Sequence, residues 1–287
     1  MIHSKWRRFL PGSRKQTTLP SHESGDIFWQ AKQLIMELAA GRKLDQQLMV
    51  EVVRRLRKER DESNAIQGIA ILIAEAPRVS EAQADMDDHR GGYRNHKARL
   101  YELIDFNDVF VETILALPSY ELTDFEQQLK KAMSDMCDEV YAFMLSDKQY
   151  EAITHGLSRE IAVYKAAKEL GYDVRMTSRV EDAHGVDMII RDARGRSMSI
   201  DCKTRSSYHF RLLDIKKDGF ISEQERLDAE LQGFIVLTRG KHSDFVRTTL
   251  FRVSTEDLGE IRAFSFVDST KFADLLKRAM DAQLRKD

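Results

Sequence analysis

Two aspartates and a lysine lie on neighbouring segments in which apolar and polar residues alternate, as they do in β-strands. The segments, 186–191 and 197–203, are separated by a short turn. Asp187 lies near the start of the first segment, and Asp201 and Lys203 lie at the end of the second. Carboxylates bind hard divalent cations such as Mg²⁺, and a lysine beside them can orient or polarise an attacking water or stabilise charge that develops on a phosphate. These residue types therefore indicate metal-assisted hydrolysis.

The turn determines how the two strands pair. Its three residues, Ala193-Arg194-Gly195, place glycine where such hairpins favour a left-handed conformation. Asp192 then faces Arg196, and Asp187 falls directly opposite Asp201. Opposed Cβ atoms are about 4.5–5.5 Å apart, and like charges at that separation destabilise a sheet. A compensating cation is therefore expected, and a divalent metal ion is the simplest candidate. The other face of the hairpin is apolar: Val186, Met188, Ile190, Met198, Ile200 and Cys202.

A third acid precedes the hairpin in a segment of helical periodicity, 157–170. Glu160 shares the apolar stripe of this helix with Val163 and Ala167. Buried acids need a partner, so Glu160 would point to the polar cluster if the helix packs over the hairpin. Two simpler interpretations stay open. The aspartate and lysine could form an ordinary ion pair on an exposed strand, and the glutamate could curl back to solvent.

Basic residues concentrate around the hairpin, which is the pattern of a phosphate-binding surface. The candidate nucleic-acid contacts are Arg179, Arg194, Arg196, Arg205, Arg211 and Tyr208. Tyr208 could stack on a base, although packing in the core is the more common role of an aromatic residue. The 287 residues include 45 Lys+Arg and 47 Asp+Glu, a net charge of −2. This balance excludes a uniformly basic nucleic-acid coat and leaves room for a local basic site.

The segment 214–225 has part of the pattern of a calcium-binding loop, with acids at its first, fifth and twelfth positions and glycine at its sixth. Lys216 occupies the third position, where a cation removes a ligand and repels Ca²⁺. The preceding residues, 206–213, make a poor entering helix. The preferred interpretation is a turn at Asp218-Gly219 before a helix that begins near Ser222.

The chain divides into a flexible basic arm at 1–25, a helical domain at 26–147 and a domain of alternating strands and helices at 148–287. Pro77 is expected to end the helix that starts at Ala65, since proline interrupts helices. We therefore predict an α+β protein with an N-terminal all-α bundle and a C-terminal α/β domain. The bundle shows no chemistry of its own, which favours a scaffold, a homodimer contact or a site for a protein partner.

Cysteine content and hydropathy indicate the compartment. Two cysteines, Cys137 and Cys202, are too few for a disulfide framework, which is typical of reducing conditions. The longest apolar stretch, 65–76, is shorter than the roughly 20 residues that cross a bilayer. The first 22 residues lack the apolar core of a secretory signal. We expect a cytoplasmic protein without membrane contact.

The acids and the lysine together resemble the signature of the PD-(D/E)XK nuclease superfamily, which has the restriction-endonuclease-like fold. That signature is a helix acid, an aspartate at a strand start often preceded by Gly or Pro, and an acid-x-lysine at the end of the next strand. Here these elements are Glu160, Gly185-Val-Asp187 and Asp201-Cys-Lys203. The resemblance covers about 147–268 and implies a core of αβββαβ order around a mixed central sheet.

The resemblance implies a nuclease that hydrolyses phosphodiester bonds of DNA with Mg²⁺ or Mn²⁺, with RNA as an alternative substrate. Asp187, Asp201 and the Cys202 main-chain carbonyl would ligate the metal, Lys203 would assist the water, and Glu160 would support the site or a second metal. The resemblance also implies an endonuclease of restriction, defence or repair type. The second acid is Asp rather than the commoner Glu, which shortens its reach by one methylene. A nuclease-like module that binds nucleic acid or protein without cutting is the alternative.

Overall fold

The computed structural model describes residues 26–88, 97–177, 181, 185–237 and 248–284. Within these ranges the chain is an α+β protein in which a helical N-terminal part precedes an α/β part, as the sequence predicts. The predicted basic arm at 1–25 and the candidate contact Arg179 lie outside the described residues. None of the described helices is both long and apolar enough to cross a membrane.

The N-terminal part is built around one central helix. Its described residues form five α-helices, α1 (Ile27–Ala39), α2 (Gln46–Lys58), α3 (Ala65–Asp88), α4 (Lys97–Ala116) and α5 (Phe125–Glu139), with a short 3₁₀ turn at Ser119–Glu121. The helices α1, α2, α4 and α5 all contact α3. Residues Ile69 to Ile73 of α3 are fully buried on every side. A helix that is apolar all round must be enclosed, and the other helices do so.

The prediction that Pro77 ends a helix is wrong, because α3 continues to Asp88 with Pro77 inside it and buried. Proline removes one hydrogen bond to the preceding turn, a local cost of about 3 kcal/mol. Neighbouring positions such as Ala76 and Val79 are buried in the bundle core. The apolar surface that α3 buries among four helices outweighs the local cost of the proline.

The α/β part begins with the long helix α6 (Asp147–Glu169). The elements that follow are β1 (Asp173–Met176), β2 (Met188–Arg191), β3 (Ser197–Lys203), α7 (Arg205–Lys217), α8 (Glu223–Gln232), β4 (Phe234–Leu237), β5 (Thr248–Arg252), α9 (Thr255–Leu258), β6 (Ile261–Arg262), β7 (Ser265–Phe266) and α10 (Thr270–Leu284). The strands β6 and β7 pair as a small separate hairpin.

The main sheet is mixed and has the order β1-β2-β3-β5-β4. The first three strands form an antiparallel meander, β5 runs parallel to β3, and β4 pairs antiparallel with β5 at the edge. One face of the sheet packs on α6 and α10, and the other packs on α7 and α8. The predicted last core strand, 234–238, therefore lies at the edge, while β5 takes the place beside β3.

The helix α7 occupies a segment for which the sequence analysis predicts a poor helix. Its buried residues Tyr208, Leu212 and Ile215 recur at spacings of four and three, so they form a narrow stripe against the sheet. The Tyr208 ring is fully buried, and its hydroxyl donates to the Ala229 carbonyl at 3.1 Å. The prediction that Tyr208 contacts nucleic acid is therefore wrong, because the ring packs in the core.

The segment with partial resemblance to a calcium loop is the junction of α7 and α8. Asp214 lies within α7, and Gly219 has a positive φ of 77° in the turn. Glu225 accepts the main-chain N–H of Ser222 at 2.7 Å and completes the capping box of α8. The preferred interpretation, a turn before a helix that begins near Ser222, is confirmed.

The hydrophobic cores of the two parts meet in α6. Leu157 and Ile161 belong to the helical core, whereas Val163 belongs to the core between the sheet, α6 and α10. Phe264, in the turn between β6 and β7, packs into the helical core against Phe110 with ring centroids 5.8 Å apart. The predicted domain boundary between 147 and 148 falls at the start of α6, so this helix positions both parts.

Gly68 allows α3 and α4 to approach closely, and this contact can be tested. A Cβ at Gly68 would collide with the Thr113 hydroxyl and lie 3.2 Å from the Thr113 Cβ. We expect Gly68→Ala to lower the free energy of unfolding by about 1–3 kcal/mol, although alanine is the better helix former. In a double-mutant cycle measured by urea denaturation, Thr113→Ala should relieve much of that loss.

Gly156→Ala in α6 is the matched control, because nothing lies within 4 Å of a Cβ at that position. This control should leave stability unchanged or raise it by up to about 1 kcal/mol. If Gly68→Ala were as stable as Gly156→Ala, that result would contradict the close contact between α3 and α4 at Gly68.

Candidate active site

The predicted pairing of the hairpin is confirmed along β2 and β3. Met188 pairs with Ile200 and Ile190 pairs with Met198, as the three-residue turn requires. Gly195 in that turn has a φ of 78°, and the Asp192 carboxylate accepts a backbone N–H from the turn. The predicted apolar face is buried throughout. The turn therefore determines which strand residues reach the interior.

Asp187 lies one residue before the regular β2 pairing and is held by hydrogen bonds on both sides. Its N–H donates to the Ile200 carbonyl at 2.8 Å, and its Oδ2 accepts the N–H of Cys202 at 2.6 Å. Its carbonyl accepts the hydroxyl of Thr177 at 3.0 Å. These bonds point the Asp187 carboxylate toward β3, and the residue is only 9% exposed.

Asp201 lies in β3, an interior strand, and is only 3% exposed. Its Oδ1 forms an ion pair with the ammonium group of Lys203. Burial raises the pKa of Asp201 to about 7; the Asp187 carboxylate also raises it, and Lys203 lowers it. Burial likewise raises the pKa of Asp187, against the opposing effect of Lys203. The two carboxylates therefore resist ionising together unless a cation is close.

Lys203 supplies part of that positive charge. Burial alone would lower the pKa of Lys203, but the charges of Asp201 and Asp187 outweigh burial and raise the pKa above its usual value. Glu160 on α6 adds to this rise. Lys203 is therefore a fixed cation at neutral pH, and it can donate hydrogen bonds but cannot serve as a general base.

Glu160 reaches the cluster from the side of α6. Cys202 belongs to the core that contains α6, so side-chain alternation directs Asp201 and Lys203 toward the face covered by α7. The Glu160 carboxylate nevertheless helps to raise the pKa of the Cys202 thiol, after burial and Asp187. The structure thus places Glu160 beside the strand ends, near the acids and the lysine.

Two adjoining cavities are lined by residues of this cluster. A cleft of about 740 Å³ is lined by Lys203, Cys202 and Glu160 together with residues of the helical part. A pocket of about 270 Å³ is lined by Asp187, Thr177 and Glu160. Both cavities contain Asn107 of α4, Leu157 and Glu160 in their walls. The candidate active site therefore lies between the helical part and the sheet.

The predicted arginine contacts divide into two groups. Arg194 and Arg196 lie at the turn, and Arg196 is seven residues, roughly 23 Å of strand, from Lys203. Arg196 also pairs with Asp192 at 2.5 Å. These two arginines therefore lie away from the acids, because the hairpin directs its turn and its carboxyl end in opposite directions, and their contact with nucleic acid stays a prediction.

The other two arginines lie on α7 and are nearer to the acids. Arg205 follows the site directly and forms an ion pair with Glu256. Arg211 acts on the Asp201 carboxylate and lowers its pKa, as the smallest of several effects. Of the predicted arginines, Arg205 and Arg211 are the two that the structure places next to the site.

The sequence analysis missed the site residues that the helical part contributes. Asn107 lies in α4, and no motif in the sequence marks this asparagine as part of the site. Thr204 and Ser207 line the cleft at the start of α7, where the Thr204 hydroxyl accepts the Ser207 N–H at 3.3 Å. This pair has the spacing of a helix N-cap, a pattern that could have been found in the sequence.

The donors at the site suit a hard cation. The carboxylates of Asp187 and Asp201 and the main-chain carbonyl of Cys202 are oxygen donors of the kind that Mg²⁺ accepts together with water. Among the described residues, no three His, Cys, Asp or Glu side chains are grouped so that they could hold a metal ion. A metal here would therefore use two carboxylates, and the role of Glu160 as a ligand stays a prediction.

Comparisons with protein-family models, with curated proteins and with solved structures found no match to this chain. The relationship to the PD-(D/E)XK superfamily accordingly stays a prediction, which rests on the residues, their spacing and the order of the elements.

The charge balance at the site predicts how stability depends on pH. The pKa of Asp201 is raised in the folded protein, so ionisation of Asp201 opposes folding, and stability falls between the usual aspartate pKa near 4 and about 7. We expect Lys203→Met to lower the free energy of unfolding by roughly 2–4 kcal/mol at pH 8 and by much less at pH 4. Asp187→Asn, which keeps an acceptor for the Cys202 N–H, should raise stability at pH 8.

Urea denaturation at both pH values gives these free energies. Lys32→Met is the matched control, because Lys32 forms a more exposed pair with Asp135 at 2.8 Å. The control should cost less than about 1 kcal/mol at either pH. An equal loss for Lys203→Met at pH 4 and pH 8 would show that the charge of the two aspartates does not change between these pH values, contrary to the raised pKa of Asp201.

Proposed function

We propose that this chain is a metal-dependent nuclease that hydrolyses phosphodiester bonds of DNA. One observation carries the proposal: two carboxylates from adjacent strands are buried together beside a lysine that lines a cleft, and one of them, Asp187, lines the adjoining pocket. Carboxylates that share a site lose stability unless a cation neutralises them, and one lysine leaves the pair with an excess negative charge. Such a site is suited to a divalent cation.

An ordinary ion pair on an exposed strand accounts poorly for this arrangement. Exposed pairs are solvated and contribute little, whereas Asp201 and Asp187 are 3% and 9% exposed. Titratable groups with pKa values shifted by burial and by a like charge in a cleft are typical of active sites. The burial of the acids therefore favours a catalytic role.

In the proposed mechanism, Asp187 and Asp201 would hold the cation with their carboxylate oxygens. Bound Mg²⁺ would polarise the phosphate and favour ionisation of the attacking water. Lys203, kept protonated by its acidic neighbours, would donate a hydrogen bond to the phosphate or to the water and stabilise the developing negative charge. The attacking water would add to phosphorus and release a proton to solvent, one P–O ester bond would break, and the leaving oxygen would take a proton from solvent.

The start of α7 favours a phosphate beside Lys203. The cleft wall contains Thr204, the N-cap of this helix, and Ser207 in its first turn. Helix N-termini carry partial positive charge and free backbone N–H groups, which suit anions. In this proposal the phosphate binds between Lys203 and the first turn of α7, with Arg205 and Arg211 nearby on the same helix.

The remaining parts of the proposal rest on family resemblance and composition. They are an endonuclease of restriction, defence or repair type, Mn²⁺ as a substitute for Mg²⁺, RNA as an alternative substrate, and a cytoplasmic location. A homodimer or a protein partner would bind through the helical part.

A second candidate is a nuclease-like module that binds nucleic acid or protein without cutting it. The observation in its favour is the ion pair between Lys203 and Asp201, which partly neutralises the acids without a metal. Such a module would bind nucleic acid in a salt-dependent manner, since binding to phosphates releases counterions. It would give no cleavage product with any divalent metal ion.

Cleavage assays with purified protein test both candidates. We expect single-stranded and duplex DNA substrates and an RNA of matched sequence to yield products with Mg²⁺ or Mn²⁺ and none with EDTA. Asp187→Asn, Asp201→Asn and Lys203→Met should each lower the rate at least about 100-fold, since each removes metal binding or charge stabilisation.

Asp135→Asn and Lys32→Met are the controls, because they remove the same residue types from a pair in the helical part. They should keep full activity. Circular dichroism of each variant separates loss of chemistry from loss of fold. Undiminished cleavage by Asp201→Asn would refute the proposed site, and absence of product from the wild type with either metal would favour the binding module.

A further inference from the structure

The helical part forms one wall of the candidate active site. Across the 740 Å³ cleft, Lys203 and Thr204 lie on the side of the α/β part, and Asp87 of α3 and Asn107 of α4 lie on the side of the helical part. Gly156 of α6 lies in the lining between them. The helices therefore restrict what can reach Lys203, even though they carry none of the predicted catalytic groups.

Hydrogen bonds and packing hold this wall in place. Asp87 accepts bonds from the amide of Gln149 on α6 at 2.6 Å and from the amide of Gln83 at 2.8 Å. Leu145, just before α6, donates its N–H to the Ser80 hydroxyl of α3 at 3.0 Å. On the other side Phe264 inserts into the helical core. Widening the cleft would break these contacts.

The dimensions of the cleft favour a small substrate segment. Its volume of about 740 Å³ is within the usual range of small-molecule sites, about 300–1,000 Å³. Because Lys203 lines the cleft and Asp187 lines the adjoining pocket, a reacting phosphate must enter these cavities to reach them. A nucleotide fits this space far better than a continuous duplex.

The charges along the cleft also suit a single DNA strand. Lys148 and Lys203 are the basic residues in the described lining, and Lys148 is exposed at the start of α6. Proteins that hold duplex DNA usually neutralise many phosphates on both strands. Enzymes that hold a nucleotide in a pocket either act on single strands or flip the nucleotide out of the duplex, which costs a few kcal/mol, so an unpaired strand enters such a pocket more easily.

From this geometry we propose that the substrate enters as an unpaired DNA strand, with the reacting nucleotide between Asn107 of α4 and the end of β3. The proposal rests on the nuclease function proposed above and specifies its substrate class. Lys148 contacts the strand at the cleft mouth, and Gly156 keeps the passage open. Continuous duplex DNA is excluded by the wall that α3 and α4 form.

The substrate test compares two DNA circles, which have no ends. We expect single-stranded circular DNA to be cut with Mg²⁺ or Mn²⁺ at least about tenfold faster than relaxed, closed circular duplex DNA of the same sequence, a ratio equal to about 1.4 kcal/mol. Equal cleavage of the relaxed duplex would overturn the proposal and leave the nuclease function intact.

Filling the cleft tests the same passage by binding. A fluorescein-labelled oligothymidylate is titrated with protein in the presence of Ca²⁺, and anisotropy is recorded. Gly156→Phe should weaken binding at least about tenfold, whereas Gly156→Ala should bind as the wild type does. The Cβ of either side chain meets no atom within 4 Å, and Gly156 lines the cleft that the phenylalanine ring is meant to fill.

The charge at the mouth gives an independent readout. Lys148→Glu should weaken binding of the oligothymidylate and reduce its salt dependence, whereas Lys277→Glu, at an exposed position of α10, should change neither. Circular dichroism confirms that each variant is folded. If no DNA is cut, the nuclease function fails, and the binding data still test whether a single strand enters the cleft. Unchanged binding by both Gly156→Phe and Lys148→Glu would overturn the proposal.

Discussion

The burial of Asp187 and Asp201 in one small volume is the constraint on which the surrounding structure depends. Two carboxylates in a low-dielectric interior repel each other and lose their hydration, so a fold tolerates them only with compensating charge and hydrogen bonds. The N–H of Cys202 bonds to Asp187, and the Lys203 ammonium pairs with Asp201. These contacts come from three consecutive residues of β3. The position of that strand therefore determines whether the two acids can be buried.

Several elements are needed to hold β3 in place. β2 pairs with one edge of it and β5 with the other, so Asp201 has no access to solvent through the sheet. α6 covers the face that contains Cys202 and brings Glu160 to the strand ends. Because the first half of α6 packs in the helical core, the helical part also determines where Glu160 lies. The site is thus a property of both parts of the chain.

The local features of this site could be predicted from the sequence because they depend on short-range geometry. A three-residue turn with Gly195 determines the strand pairing, and side-chain alternation then places the acids on one face and the apolar residues on the other. The order of a helical N-terminal part and an α/β part could also be predicted, because it follows from the periodicity of apolar residues along the chain. These predictions needed no knowledge of how distant elements pack.

The failures concern residues whose position depends on distant contacts. Pro77 stays helical because four helices surround α3, and Tyr208 is buried because α7 packs on β4 and β5. Asn107 enters the site through the packing of α4 on α6, for which no local pattern exists. Tertiary packing overrides local propensity in the first two cases. In the third case it brings Asn107 to the site, although no local sequence pattern predicts that contact.

Ion pairs explain how a chain of net charge −2 can have a site suited to phosphate. Many cations of the described surface have an acidic partner, such as Arg57 with Glu75, Arg196 with Asp192 and Arg205 with Glu256. Paired cations add little long-range attraction, since the opposite charges cancel within a Debye length of about 8 Å. Attraction for a phosphate would then come from Lys203, the start of α7 and a bound metal. On the proposed function, a phosphate that enters the cleft would meet these charges, whereas one that only touches the surface would meet mostly paired cations.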